Sequence, residues 1–230
     1  METTNGGSRG YLVSIVMVAV LGGLLFGYDT AVISGADKGL QAFFMGATDF
    51  TYTDFWHGFT SSSALIGCII GSALSGVLAT GLGRKRTLIL AGIMFFISAW
   101  GSMCPESMIL PVGKPDLTLL VVFNIYRIIG GVGGVLSFAP LIVIMFALIA
   151  FLEDSRIRGM LVSWNQFAII FGQLVVYFVN FFILGDHIAP LIQSVGSGMN
   201  EIVNGTEAAW AIETGWRYMF GSEMVPAGLF

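Results

Sequence analysis

Charge is scarce in this chain. Only 10% of its 230 residues are Asp, Glu, Lys or Arg, against about 25% in ordinary soluble domains. That deficit, beside 56% hydrophobic residues, excludes a typical water-soluble globule. No basic stripe exists and the net charge is −4, so no nucleic-acid partner is expected. Cysteine is nearly missing. Cys68 and Cys104 lie in or at the end of apolar runs, with neither metal-ligand spacing nor a secreted disulfide pattern, and they read as packing residues. No nucleophile cluster or metal-ligand group occurs, so neither an enzyme nor a metal site is expected, and no cofactor is called for.

Long apolar runs fill the space that charge leaves. Tyr11 to Ser34 is a stretch of 24 residues whose single charge is Asp29. A bilayer core needs about 20 helical residues at roughly 1.5 Å each. This run is too long for the apolar region of a cleavable leader, and more runs follow it. The predicted helices are about 11–34, 58–82, 87–105, 118–152, 159–184 and 217–230. Short alternating strands, the mark of a membrane barrel, are missing, so the fold class is an all-α membrane protein. The 31 glycines suit helices packed closely in lipid. Gly67, Gly71 and Ser75 recur at four-residue spacing, as do Gly23 and Gly27. The fourth run, 36 residues long, predicts one long helix with places to bend at Gly130, Gly131, Gly133, Gly134 and Pro140. The last run stops after 13 residues, about 20 Å of helix against a core of roughly 30 Å. Five full spans and a truncated sixth are therefore expected.

Basic residues orient the spans. Arg9, Arg84, Lys85, Arg86, Arg156 and Arg158 fall on one side, while Lys38, Lys114 and Arg217 stand among nine acids on the other. The positive-inside rule puts the N-terminus in the cytoplasm of a cell-membrane protein, with loops 35–57, 106–116 and 186–217 outside.

A buried charge is costly and needs a partner. Asp29 lies about 8 Å below the outer end of its run and Arg127 about 15 Å below. The difference of about 7 Å is within an arginine's reach once helices tilt. Such a pair can serve as a proton switch, since protonating Asp29 would release Arg127, or as a static clamp between helices. In the fifth run, Gln166, Gln173 and Asn180 recur every seven residues, with Tyr177 on the same face. Amides that donate and accept suit a hydroxyl-rich ligand, with interhelical hydrogen bonding as the alternative.

Several stretches together resemble the sugar porters of the major facilitator superfamily, particularly bacterial xylose–proton symporters. They are GGLLFGYDTAVISG at 22–35, SALIGCIIGSALSG at 63–76, GRKR at 83–86, YRIIGGVGG at 126–134, RGMLVSWNQFAIIFGQLVVY at 158–177 and GWRYMF at 215–220. The resemblance implies twelve helices in two halves built of inverted repeats, with this chain as the N-terminal six-helix bundle, 1–230, and the C-terminal half missing. It implies Asp29 as the protonatable carboxylate with Arg127 as its partner, protons being the coupling ion. Gln166 and Gln173 would bind the sugar beside the aromatic Phe26. Gly83, Arg84 and Arg86 would belong to the cytoplasmic gate, with Arg158 after the fourth helix and Glu153 standing for the family's glutamate. The chain departs from the pattern at Thr80 and Gly81, where an acid or amide and an arginine are usual, and in the apolar stretch after Pro140. The implied activity is proton-coupled symport of a monosaccharide such as D-xylose across the lipid bilayer, which the 230-residue piece alone would not perform. The alternatives are passive facilitation, with Asp29–Arg127 as a clamp, and a membrane sugar sensor that binds without transport.

Overall fold

The computed structural model describes residues 9–47, 50–108, 115–151, 155–185 and 210–229. Five long helices dominate: α1 (Arg9–Met45), α2 (Asp54–Gly81), α3 (Arg84–Met103), α4 (Leu117–Phe151) and α5 (Ser155–Leu184). A 3-10 turn, Pro105–Met108, follows α3, and a π-helical turn, Ala211–Gly215, leads into the short helices α6 (Trp216–Ser222) and α7 (Met224–Leu229). No strand occurs among the described residues.

Among the described residues, four helices contain windows long and apolar enough to cross a membrane: Asp54–Gly81, Lys85–Met103, Leu117–Ser137 and Gln166–Leu184. Hydrophobic side chains point outward along them. Leu65, Ile69 and Val77 of α2 and Phe178 and Phe182 of α5 are exposed, which suits a protein whose solvent on those faces is hydrocarbon. Small polar residues such as Ser63, Ser98 and Ser137 are buried in the interior beside its hydrophobic side chains.

The observed ends differ from the apolar runs. Helix α1 continues to Met45, well past Ser34, because leaving the apolar zone does not end a helix and nothing between Gly35 and Met45 breaks one. Asp54, at the start of α2, supplies a carboxylate to its first turn and lengthens that helix ahead of the apolar stretch. The last run is divided into α6 and α7 at Glu223.

Glycine decides how the helices pair. A Cβ on Gly27 would collide with the carbonyl oxygen of Ile169, and one on Gly172 with that of Leu24, so α1 and α5 touch backbone to backbone. The same holds for α2 and α4, where Gly67 faces Ile128 and Gly131 faces Ala64. The glycines of α4 that sequence offers as bending points are thus contact points in a helix that runs continuously to Phe151. Helix α3 packs on α4 and on α6, while α1 and α2 barely touch. The result is two tight pairs, α1 with α5 and α2 with α4, bridged where α1 crosses α4.

An aromatic core closes one end of the bundle. Phe43, Phe44, Phe123, Trp216 and Phe220 are all buried there. Phe123 meets Trp216 and Phe220 edge-on at 5.7 and 5.3 Å, the geometry that aromatic quadrupoles favour.

Candidate functional site

Asp29 on α1 and Arg127 on α4 meet in the interior. Arg127 Nη1 donates to Asp29 Oδ1 at 2.7 Å, and the two side chains are only 9% and 2% exposed. The spans at this level are pinned by the glycine contacts at Gly27 on α1 and at Gly67 and Gly131 on the α2–α4 pair. The guanidinium also lies over the Phe220 ring, 5.1 Å from its centroid, so α6 supplies a third wall and a cation–π contact.

A third charged group stands beside the pair. Glu223, between α6 and α7, is 1% exposed, and its carboxyl group interacts electrostatically with both Asp29 and Arg127. Neither of its oxygens completes a hydrogen bond of good geometry, nor does Nε of Arg127. Next to it, Tyr28 and Ser222 share a 2.7 Å hydrogen bond that ties α1 to α6. Sequence reasoning missed Glu223, which lies within the short last apolar run. The signal was the one that exposed Asp29: an acid inside an apolar stretch. One guanidinium thus faces two carboxyl groups, an arrangement that can hold or release a proton without leaving the cation unpartnered.

The proposed ligand residues differ in exposure. On α5, Gln166 and Tyr177 are exposed and Gln173 is half-buried, so these three offer polar groups at the surface of the bundle. Asn180 is buried at 4%. Its side chain fills the gap left by Gly35 on α1, and Nδ2 donates to the Val32 carbonyl at 3.5 Å. Asn180 therefore sits in an interhelical contact, because α1 runs on past Ser34 and covers that end of the α5 face. Phe26 is half-buried beside Gly134, where a Cβ would stand 3.4 Å from its ring.

Of the gate residues, Gly83 caps α3 with φ of +85°, a left-handed conformation that favours glycine. Arg86 is exposed in the first turn of α3. Glu153 and the side chains of Arg84 and Arg158 lie outside the described residues. Neither Cys68 nor Cys104 is in a disulfide, and both are half-buried. No cluster of three or more His, Cys, Asp or Glu capable of holding a metal occurs among the described residues.

Comparison with known proteins agrees with this architecture. The family model "Sugar (and other) transporter" matches residues 15–230. The D-xylose–proton symporter of Escherichia coli (strain K12) is 44% identical over 229 residues, 96% of this chain and 42% of the relative. The arabinose–proton symporter of Bacillus subtilis (strain 168) is 34% identical over 231 residues, covering 100% of this chain and 41% of that protein. Among solved structures, a partially occluded inward-open conformation of the E. coli xylose transporter XylE superposes with a TM-score of 0.73 at 44% identity, over 95% of this chain and 48% of the other. The chain thus spans less than half the length of these relatives. It is a multi-pass membrane protein with the helix arrangement of the major facilitator superfamily, and it belongs to the sugar (and other) transporter family.

Proposed function

We propose that this chain forms the N-terminal half of a proton-coupled monosaccharide symporter, with D-xylose as the favoured substrate. The observation that carries the reading is the buried 2.7 Å pair between Asp29 and Arg127, beside a second carboxyl group on Glu223. The names of the relatives, symporters of xylose and of arabinose, support the substrate class.

In this reading the N-terminus lies in the cytoplasm, and Asp29 takes up a proton from outside. Neutral Asp29 no longer holds Arg127 by charge, and the guanidinium shifts toward Glu223 while keeping the Phe220 face. The contact between α1 and α4 then loosens, and the half rocks against a C-terminal partner to expose the sugar inward. Gln166 and Gln173 supply amides to the sugar hydroxyls from α5, with Phe26 and Tyr177 as neighbouring rings. Without the C-terminal half the sugar has ligands on one side only, so the 230-residue chain by itself does not transport.

The test is sugar-driven proton uptake in vesicles carrying the chain within a full-length transporter. Xylose should alkalinise the medium, and Asp29→Asn should abolish that signal while sparing sugar counterflow. Proton uptake that survives Asp29→Asn would end the coupling role. Saturable accumulation by the isolated 230-residue chain would end the claim that it is inactive alone.

A further inference from the structure

The two helix pairs are joined by a second polar tie, far from the first. Asp37 lies on α1 eight residues beyond Asp29, about 12 Å along the helix. Its Oδ1 is 3.3 Å from Nε2 of His57 on α2 and accepts a 3.3 Å hydrogen bond from Ser61 on the same helix. The other ring nitrogen, Nδ1, is 3.3 Å from the Tyr52 hydroxyl. Among the described residues, the polar contacts between α1 and α2 converge on Asp37, and the two helices otherwise hardly meet. The side chains of His57 and Asp37 are 22% and 28% exposed, so protons from the aqueous phase reach them.

We propose that Asp37 and His57 form a pH-sensitive clasp that draws the rim ends of α1 and α2 together under acid. The inference deepens the transport reading and rests on it for one point, that this rim faces the side from which protons enter. Imidazole is the side chain whose charge changes between pH 5 and 8. Neutral, His57 donates from Nε2 to Asp37 and accepts at Nδ1 from the Tyr52 hydroxyl. Charged, it donates from both nitrogens, and the contact with the Asp37 carboxylate gains the attraction of an ion pair. Tyr52 serves either state because its hydroxyl can accept as well as donate. Burial, together with the charge of Asp37 and against the opposing hydrogen bond with Thr60, pushes its pKa up to about 12, so it stays neutral throughout.

The other groups at this rim leave the tie intact. Asp54, three residues before His57 on its own helix, is exposed, as is Lys38 next to Asp37. Asp116 stands just before α4. Within α4 the nearest member of the network is the neutral Asn124, which donates to Thr60 at 3.3 Å. Arg217, near the same end, is engaged by Glu106.

The clasp and the deep pair respond to acid in opposite senses. Protonation removes the charge that binds Arg127 to Asp29, and it adds the charge that binds His57 to Asp37. Acid therefore frees α1 from α4 at depth while fastening α1 to α2 at the rim, so α1 moves about its rim end and is not lost from the bundle.

Spin labels test this without sugar or transport. Ser34→Cys and Ser62→Cys, both exposed sites, are labelled in the chain carrying Cys68→Ser and Cys104→Ser, in lipid nanodiscs. The distance distribution should narrow and shorten from pH 8 to pH 5. His57→Gln and Asp37→Asn should each keep the broad form at both pH values. Exchanging the partners, Asp37→His with His57→Asp, should restore the acid-dependent narrowing. A distribution indifferent to pH in the parent, or narrowing that survives His57→Gln, would overturn the clasp. Because no sugar is present, failure of the symport reading leaves this result untouched.

Discussion

Arg127 and Asp29, 98 residues apart in sequence, share a 2.7 Å hydrogen bond in the interior of the bundle. Both groups are withdrawn from water, and a buried pair of this kind is costly to break from one side. The nearby carboxyl of Glu223 makes the two sides unequal.

Removing the cation should therefore hurt more than removing Asp29. Arg127→Gln leaves two buried carboxyl groups without a counter-charge, and a loss of about 3–5 kcal/mol is expected for breaking a buried pair. Asp29→Asn leaves Arg127 with Glu223 and the Phe220 ring, and should cost less. Thermal unfolding in nanodiscs measures the order. Equal losses, or a larger loss in Asp29→Asn, would show that Glu223 does not support Arg127.

Helix pairing gives a steric prediction. Gly27→Ala pushes a methyl group into the Ile169 carbonyl and should destabilise by about 1–3 kcal/mol, the usual range for overpacking. Gly76→Ala is the control, since a Cβ there meets nothing within 4 Å. Melting temperatures in the same lipid compare the two, and a neutral Gly27→Ala would contradict the backbone contact of α1 with α5.

The amides of α5 should separate by function. In a full-length transporter, Gln173→Ala should weaken xylose binding by about tenfold, the size of one to two hydrogen bonds. Asn180→Ala should instead lower thermal stability, because its side chain is buried against Gly35 and Val32. Calorimetric binding beside melting curves distinguishes them. A binding loss confined to Asn180→Ala would reverse the assignment.

Tyr52 supplies an alkaline signature. Its hydroxyl is pushed from the ordinary value of 10.0 up to about 12 by burial. A phenol whose folded pKa is raised contributes stability that is complete below pH 10 and is lost as pH climbs through 12. Ultraviolet titration should show late tyrosine ionisation, and Tyr52→Phe should reduce its amplitude by one group. Ionisation of every tyrosine near pH 10 would refute the burial of this ring.

Much of the site was legible before the fold was seen. An acid and a base inside apolar runs are anomalous wherever they occur in lipid, since desolvation is too costly to leave either alone, and depth along two helices matched them. Glu223 obeys the same rule and was legible too. The α5 stripe shows the limit: a seven-residue repeat places Gln166, Gln173 and Asn180 on one helical face, but it cannot say what covers that face along its length. Glycine is similar. Its spacing marks close approach, yet the partner of each glycine is set by which helices lie adjacent.

Sequence by itself determined that the chain crosses a membrane, that its helices pack through small residues, and that Asp29 and Arg127 need each other. Hydrophobic content and charge scarcity act residue by residue, so they survive in one dimension. Tertiary structure alone decided that Glu223 and Phe220 complete the Arg127 environment and that Asn180 is enclosed by α1. It also decided that Asp37 finds His57 across a gap between two helix pairs. Those are relations between surfaces, fixed by packing geometry, and a linear pattern carries only half of each.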